Sequence, residues 1–220
     1  TQSSPVRHVL PLALLCCSFP IHAQVPDTRF GGVNGTVHAT VEDPLNGVVY
    51  MAGEFDRAGI LAPYGAVTST QAVTVQPGFP AIDGVVNAAV ADGAGGFYIG
   101  GTFTHVGGEV RHGLARVNAD GSLHAWDPDA NGEVYDLLAL NGMIYAGGYF
   151  TQIGGNDLPF LAEIDPNTGA PSAWQPPLNG GVRHLVTDGT DLYISGDFTQ
   201  IDGNVRRQLG AFTIPAHTLM

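Results

Sequence analysis

Short apolar runs, separated by polar stretches rich in Gly, make up most of the chain after its first 35 residues. Four of these runs align without gaps: VVYMAGEFDRAG, GFYIGGTFTHVG, MIYAGGYFTQIG and DLYISGDFTQID. In each run a Gly follows the Tyr by three residues, and a Phe follows that Gly by two. The shared Phe residues are Phe55, Phe103, Phe150 and Phe198, at spacings of 48, 47 and 48 residues. This periodicity predicts a repeated structural unit.

Each unit contains four predicted strands. A Val-rich run (GTVHATV, GVVNAAV, GEVYDLL, GVRHLV) precedes the second, Tyr-containing strand. Asp-Gly or Asn-Gly pairs separate the two at Asp92, Asn141 and Asp188, and these pairs favour hairpin turns because they tolerate positive φ. A Gly-rich turn leads to a third run (HGLARVN, PFLAEID, RQLGAFT), and the fourth strand ends at Trp126 or Trp174.

The second strand is apolar on both faces. In FYIGG, Phe97 and Ile99 point to one side and Tyr98 to the other, whereas a strand with one face in water would alternate apolar and polar residues. Propeller blades stack face to face around an axis, which buries both faces of each sheet. The pattern therefore predicts an all-β fold, a β-propeller of four-stranded antiparallel blades of about 47 residues. The alternative is a β-helix or solenoid, although its repeats are usually shorter.

These segments resemble the Kelch-like β-propeller repeats of secreted bacterial proteins, a family catalogued as a domain of unknown function. The family's recurring elements are LYIGGDFT-like, LARVD-like and WxP-like, and this chain has LYISGDFT, GLARVN and WDP. The resemblance extends from Phe30 to the end, and the first repeat departs most, because AGILAPYGAVTSTQ replaces its third-strand text. It implies a binding or scaffolding module of an exported protein, and it implies no activity.

The N-terminus has the features of an export signal. Arg7 precedes an apolar run, 9–19, which is too short to span a bilayer as a helix, and a predicted cleavage site ends at Ala23. The alternative is a buried N-terminal helix. Cys16 and Cys17 are the only cysteines, so cleavage would leave no thiol, no disulfide and no Cys-bound metal. We expect a secreted, cell-surface or periplasmic protein with no membrane insertion after signal cleavage.

The repeats set the expected domain boundaries. These are a signal peptide, 1–23; an N-terminal closing strand and linker, 24–35; three blades, 36–83, 84–131 and 132–179; and an incomplete blade, 180–220. Phe30 occupies the Trp position of a fourth strand, while the last repeat stops after its predicted third strand, so the two ends are complementary. We expect a piece of a longer propeller whose remaining blades complete the ring, since propellers commonly have more than four blades. A closed four-bladed ring is the alternative.

Charge and composition narrow the range of partners. The formal net charge is −12, which disfavours general binding to nucleic acid or to an anionic membrane. Gly and Pro are abundant, at 31 and 15 residues, and charged residues make up only 13%. We expect no cofactor, no nucleic acid, and a protein or glycan partner.

Variable positions within the repeat are the candidate binding residues. One set follows the first-strand Val and is expected to line the central channel, where it would suit a small polar ligand, or a carboxylate through its Arg. These residues are His38, Asn87, Tyr135 and Arg183. A second set precedes the repeated Phe near a rim of the blades: Glu54, Thr102, Tyr149 and Asp197. For both sets the alternative is plain solvation without a ligand.

Motif searches point to no catalytic or metal site. The eight His are scattered, with neither His-x-His nor His-Glu-x-x-His, and no Gly-x-Ser-x-Gly elbow is present. The stretch WDPDANGEV, from Trp126 to Val134, begins like a calcium loop, but its twelfth position is Leu138, where an EF-hand needs a bidentate Glu. Asn131 and Gly132 are instead expected to form the turn between blades, and a weak calcium contact at Asp127 and Asp129 is the alternative.

The expected function is therefore an exported, non-catalytic binding or scaffold module. The alternatives are a carbohydrate-active propeller hydrolase or lyase, which would need converging carboxylates, and a structural spacer without a ligand.

Overall fold

The computed structural model describes residues 34–43, 48–55, 57–58, 60–61, 65–69 and 79–220. Across these residues the structure consists of strands, turns and irregular segments, numbered β1–β21 along the chain. The predicted signal peptide and most of the predicted closing strand lie outside them. Within the described part, no helix is long and apolar enough to cross a membrane.

Three long strands recur in each repeat and form an antiparallel meander. The first strands are β1 (Thr36–Asp43), β6 (Val86–Ala91), β11 (Val134–Leu140) and β16 (Val182–Thr187). The second strands are β2 (Val48–Glu54), β7 (Phe97–Gly101), β12 (Met143–Gly148) and β17 (Asp191–Gly196). The third strands are β5 (Gly65–Ser69), β10 (Leu114–Val117), β15 (Leu161–Ile164) and β20 (Leu209–Thr213). In each sheet the second strand lies between the first and the third.

Between its second and third strands, each repeat contains a small hairpin whose two strands are each two residues long. The pairs are β3–β4 (Arg57–Ala58, Ile60–Leu61), β8–β9 (His105–Val106, Glu109–Val110), β13–β14 (Gln152–Ile153, Asn156–Asp157) and β18–β19 (Gln200–Ile201, Asn204–Val205). Gly107 and Gly108 both have positive φ, 62° and 86°, which is the turn geometry that suits the twist of a hairpin. The Gly-rich segment predicted as a simple turn therefore contains a small ribbon of its own.

The predicted fourth strand is largely missing from the two central repeats. There it is reduced to single bridges, Val117 to Leu123 and Ile164 to Pro171, and Pro171 has no backbone N–H with which to extend a ladder. In the last sheet β21 (Thr218–Leu219) pairs with β20, a fourth strand that the sequence did not predict. The four-stranded blade is thus only partly formed.

The hydrophobic core lies between the sheets. Phe97 and Ile99 belong to the cluster shared with the first sheet, whereas Tyr98 belongs to the cluster shared with the third. All five residues of β7 are buried, which confirms the prediction that this strand has two buried faces. Trp126 also contacts the next repeat. Its Nε1 donates a hydrogen bond of 2.9 Å to the carbonyl of Asp165.

Glycines on the second strand let consecutive sheets interlock. A Cβ added to Gly100 would lie 2.7 Å from Cγ1 of Val134, and one added to Gly147 would lie 2.8 Å from Cγ1 of Val182. Real Cβ atoms essentially never approach so closely, so these first-strand valines occupy holes in the preceding sheet. The glycines are packing positions, as the sequence predicted, and the first strands of consecutive sheets lie side by side.

Candidate functional site

The candidate residues lie at one end of the sheets. The first strand begins where the second strand ends, because Val134 is paired with Gly148 and Val182 with Gly196. Residues that follow the first-strand Val are therefore neighbours of residues that precede the repeated Phe. We call this the bulge end, for the irregularity described next.

Each first strand contains a register shift at its candidate residue. The pairing skips one residue between Val37 and Ala39, and the same shift occurs in β6, β11 and β16. The four residues without a Cα partner are the predicted channel set, His38, Asn87, Tyr135 and Arg183. A β-bulge of this kind redirects the side chain of the inserted residue. The repeat thus presents one variable side chain per sheet.

In the first and fourth sheets, the predicted channel residue contacts the carboxylate of the predicted rim residue beside it. Nε2 of His38 lies 3.1 Å from Oε1 of Glu54. In the fourth sheet, Nη2 of Arg183 lies 2.7 Å from Oδ2 of Asp197. The two sets that the sequence separated into channel and rim are adjacent here.

The second and third sheets differ in their contacts. The rings of Tyr135 and Tyr149 meet edge to face, with centroids 5.8 Å apart. Nδ2 of Asn87 instead donates to the carbonyl of Val134, in the next sheet, at 2.9 Å. Thr102 lines a groove that also lies toward the third sheet.

A compact cluster joins the third and fourth sheets: Tyr135, Tyr149, Arg183 and Asp197, here called the Tyr–Arg cluster. The Arg183 guanidinium lies 5.2 Å from the centre of the Tyr135 ring and 5.9 Å from that of Tyr149, within cation–π range. The Tyr149 hydroxyl donates a hydrogen bond of 2.6 Å to Asp197, which also accepts from Arg183. The cluster therefore combines two aromatic rings with a fixed cation.

Hydrogen bonding sets the charges in this cluster. The bonds from Arg183 and Tyr149 lower the pKa of Asp197, and the bond to Asp197 raises the pKa of the Tyr149 phenol. The pKa of Arg183 is raised as well, through its hydrogen bond to Asp197. At neutral pH the cluster holds one cation, one carboxylate and neutral phenols, all close to water.

Contacts with Gly181 and Phe160 fix the orientation of the Tyr149 ring. A Cβ added to Gly181 would lie 2.2 Å from Cε2 of that ring, so the ring rests on a backbone without a side chain. Phe160 meets the same ring edge to face, with centroids 6.0 Å apart. Tyr149 nevertheless keeps 42% of its surface exposed. It is a positioned aromatic ring that remains available to a ligand.

An open groove of about 630 Å³ begins next to the cluster. Its lining mixes polar side chains with apolar surface and comes from the end of the second sheet and the turn into the third: Thr102, Phe103, Thr104, His112, Gly113, Asp129, Ala130, Asn131, Gly132 and Glu133. Oε2 of Glu133 accepts a hydrogen bond from the Tyr135 hydroxyl. Through Glu133 the groove and the Tyr–Arg cluster form one continuous surface.

The sequence did not predict the contact between His112 and Asp129, which both line this groove. Nδ1 of His112 lies 2.7 Å from Oδ1 of Asp129, and both side chains are exposed. Asp129 has a φ of 56°, a left-handed conformation that Asp tolerates better than most residues. Nδ1 of His105, on the small hairpin β8–β9, lies 2.8 Å from Oδ2 of Asp83.

The stretch that resembles a calcium loop has other partners. Oδ2 of Asp127 lies 3.5 Å from Nη1 of Arg111, while Asp129 pairs with His112. Among the residues placed by the structure, no three metal-ligating side chains come together. Asn131 forms the turn between sheets, and its Oδ1 accepts from the backbone N–H groups of Thr151 and Gln152.

Comparison with known proteins places this geometry in a wider context. A family model described as a domain of unknown function (DUF5122) beta-propeller matches residues 98–123. The structure resembles the Niastella koreensis GH74 enzyme, with a TM-score of 0.51 and 16% identity, over 88% of this chain and 30% of the enzyme. The fold is a β-propeller. Its sheets are accordingly called blades below.

A second solved structure is similar at a lower level. It is the WD40 domain of Neurospora crassa Pan2, with a TM-score of 0.49 and 10% identity, over 84% of this chain and 65% of that one. The chain thus spans less than two thirds of the length of either structure. No curated protein sequence matches it. At these identities the likeness concerns the fold alone.

Proposed function

We propose that this propeller is a non-catalytic binding module that holds its ligand at the bulge end. The observation that carries the proposal is the Tyr–Arg cluster, where one guanidinium lies over two tyrosine rings at the solvent-exposed mouth of the blades. Tyr and Arg are the residues that most often dominate binding energy, since they offer a large contact area together with directional hydrogen bonds. Positioned on rigid strands, they need little reordering when a ligand binds.

The groove indicates the chemistry of the ligand. Thr102 offers a hydroxyl group, and Asp129 and Glu133 offer carboxylates. Such a lining exchanges hydrogen bonds with hydroxyl groups, and its carboxylates repel anions. The exposed ring of Tyr149 gives the apolar face of a sugar ring a surface to stack on. A neutral glycan that runs from the groove to the Tyr–Arg cluster fits this lining best, and a protein segment is the alternative partner.

The state of the carboxylates supports binding rather than cleavage of a glycan. Glycosidic hydrolysis requires an acid whose pKa is raised, together with a second carboxylate across the bond. Asp197 has a lowered pKa and Asp129 pairs with His112. Burial raises the pKa of Asp136, but this carboxyl accepts from the backbone N–H groups of Leu137 and Leu185 and does not line the groove.

A glycan array and a hydrolase panel on the same preparation test the proposal. We expect selective glycan binding without release of products. Turnover that is abolished by Asp129→Asn or Asp197→Asn would show an enzyme and overturn the non-catalytic function. Absence of binding to any glycan, together with capture of a defined protein segment, would replace the glycan by the alternative partner.

Export is part of the proposed function. It is motivated by the apolar run 9–19 and the cleavage site that ends at Ala23. Expression of the chain in a Gram-negative host, followed by mass spectrometry of the periplasmic product, should show an N-terminus at Gln24. An uncleaved chain in the cytoplasm would contradict this localisation.

A further inference from the structure

Asparagine followed by glycine is the pair of residues at which a protein chain deamidates most readily in water. The backbone nitrogen of the glycine attacks the side-chain amide carbon of the asparagine, and glycine has no side chain to hinder the approach. The sequence contains five such pairs. Four of them are described by the structure and begin at Asn34, Asn131, Asn141 and Asn179, whereas 46–47 lies outside the described residues. The surroundings of these four pairs differ.

The pairs that begin at Asn131 and Asn179 lie in the turns between blades and are held at both residues. In each, Oδ1 accepts from two backbone N–H groups of the following blade and Nδ2 donates to a Thr hydroxyl. A Cβ added to Gly132 or Gly180 would lie 2.7 Å or 2.9 Å, respectively, from backbone atoms that follow a second strand. One added to Gly35 would collide with the backbone of β2. Attack at these pairs would have to break such contacts.

Asn141 and Gly142 lie in the open. They form the two-residue loop between β11 and β12, directly after the last pair of the ladder, Leu140 with Met143. Both loop residues are exposed, and the Asn141 side chain makes no hydrogen bond to any described residue. A Cβ added to Gly142 would meet nothing within 4 Å. Because the tip of an exposed hairpin opens more easily than a turn packed between blades, the amide carbon and the glycine nitrogen can meet here at low cost.

We propose that Asn141 is a site of spontaneous deamidation, and the first site to be modified in the described part of the chain. The Gly142 nitrogen forms a bond to Cγ of Asn141, the bond from Cγ to Nδ2 breaks, and ammonia leaves with the proton of the glycine N–H. Water then opens the resulting five-membered succinimide. Attack at Cγ gives aspartate, and attack at the backbone carbonyl carbon gives isoaspartate. The net reaction consumes one water and releases one ammonia, without oxidation or reduction.

The modification changes the end of the blades opposite the bulge end, so it does not depend on the glycan proposal. Both products add a negative charge at neutral pH. The corresponding loops of the second and fourth blades begin with Asp92 and Asp188, whose carboxylates accept from backbone N–H groups of their own loops. Aspartate is therefore compatible with this end of a blade. Isoaspartate instead inserts an additional carbon into the backbone of a two-residue loop.

Incubation of the purified protein at neutral pH in water enriched in heavy oxygen tests this proposal. Peptide mapping by mass spectrometry, with digestion at mildly acidic pH, then reports the label taken up at each asparagine. We expect Asn141 to be labelled about tenfold faster or more than Asn131 and Asn179, since these two must first lose their hydrogen bonds. Aspartate and isoaspartate should both be found at position 141.

The same protein unfolded in guanidinium is the control. There Asn131, Asn141 and Asn179 should be labelled at similar rates, because each precedes a glycine and none keeps its folded contacts. Asn141→Gln should not form the early acidic product on ion-exchange chromatography, since its longer side chain would have to close a six-membered ring. Equal rates at the three sites in the folded protein, an earlier reaction at another described asparagine, or an unlabelled Asn141 after the unfolded chain has reacted would each overturn the proposal.

Discussion

Tyr149 donates a hydrogen bond of 2.6 Å to Asp197, a residue 48 positions further along the chain. The two occupy the same position in consecutive repeats, directly before the repeated Phe. The bond therefore connects the third and fourth blades at their exposed end, where the repeats differ most. Below it the repeats are alike, and the contacts between blades are made by the Val, Leu, Tyr and Gly residues of the core.

The first prediction separates the ring of Tyr149 from its hydroxyl. Tyr149→Ala should weaken binding of the glycan found on the array by about tenfold or more, since it removes an exposed aromatic contact worth roughly 1–3 kcal/mol. Tyr149→Phe keeps the ring and should lose only about twofold to fivefold. Isothermal titration calorimetry would measure both affinities. Arg207→Ala, an exposed Arg outside the cluster, is the control, and equal affinities for all variants would contradict a role for the cluster.

The second prediction concerns the turn between blades. Oδ1 of Asn179 accepts from the backbone N–H groups of Thr199 and Gln200, and Nδ2 donates to Thr199 Oγ1. Asn179→Ala should lower the free energy of unfolding by about 1–2 kcal/mol in urea titrations. Asn179→Asp should restore most of it at pH 7, because Asp83 performs this function in the second blade.

At low pH, the free energies of unfolding of Asn179→Asp and the wild type should differ. Partial burial raises the pKa of Asp83, but hydrogen bonds from Thr104 and His105 outweigh it and hold the pKa below its usual range. Such a carboxyl stabilises the fold above its unfolded pKa of about 3.9, and the contribution is lost as the pH falls through the folded value. Asn179→Asp should therefore lose stability relative to the wild type below about pH 4. Parallel pH profiles for the two proteins would count against the mechanism.

The third prediction tests the interlocking of blades. Gly147→Ala places a methyl group against Val182 and should destabilise the fold by about 1–3 kcal/mol, as overpacking does in other cores. Ser195→Ala, at the equivalent position of the last blade, should change the unfolding free energy by less than about 0.5 kcal/mol. Urea unfolding of both variants measures the contrast. If Gly147→Ala had the same unfolding free energy as the wild type, Val182 would pack less tightly against Gly147 than the structure indicates. In the structure, a Cβ added at Gly147 would lie 2.8 Å from Cγ1 of Val182.

The fourth prediction concerns Glu163, a buried carboxyl between the third and fourth blades. It accepts from the Tyr145 hydroxyl at 2.6 Å and lies 3.2 Å from Nε2 of His217. Burial raises its pKa, but hydrogen bonds from Ser172, Tyr145 and His217 outweigh burial and lower it. Glu163→Gln should therefore cost about 1–3 kcal/mol of unfolding free energy at neutral pH.

The pH dependence of this cost has a fixed sign. Because the folded pKa of Glu163 lies below the unfolded value of about 4.3, its stabilisation is complete above that pH and disappears as the pH falls through the folded value. The difference between the wild type and Glu163→Gln should thus narrow below about pH 4 in thermal melts. Glu109→Gln, at an exposed carboxyl on the small hairpin, is the control and should follow the wild type. A gap of constant size would contradict the mechanism.

The core could be predicted from sequence because every repeat buries the same kinds of apolar residues at the same positions. Phe103, Phe150 and Phe198 are all buried, as their fixed spacing in apolar runs indicated. The fourth strand could not be predicted reliably, since strand pairing there depends on single residues. Pro171 cannot donate to a ladder, while the Thr218–Leu219 segment pairs without any apolar run to announce it.

The bulges are the main reason that the site was only partly foreseen. Val86 and Ala88 are two residues apart, so simple alternation places them on one face, yet they pack into different cores. The inserted Asn87 between them reverses the facing of the strand. Sequence identified the variable residues of both sets but assigned one set to a channel and the other to a rim. It did not show that they share one end, or that a groove extends from them to His112 and Asp129.

The bulge also bears on how such repeats can diversify. It inserts one side chain per blade at the bulge end, outside the ladder that holds the blade together. Duplication of a blade followed by change at this single position would alter recognition and leave the stack intact. A library randomised at His38, Asn87, Tyr135 and Arg183 should accordingly contain many folded members with different ligands, so the chain offers a scaffold for selecting new binders.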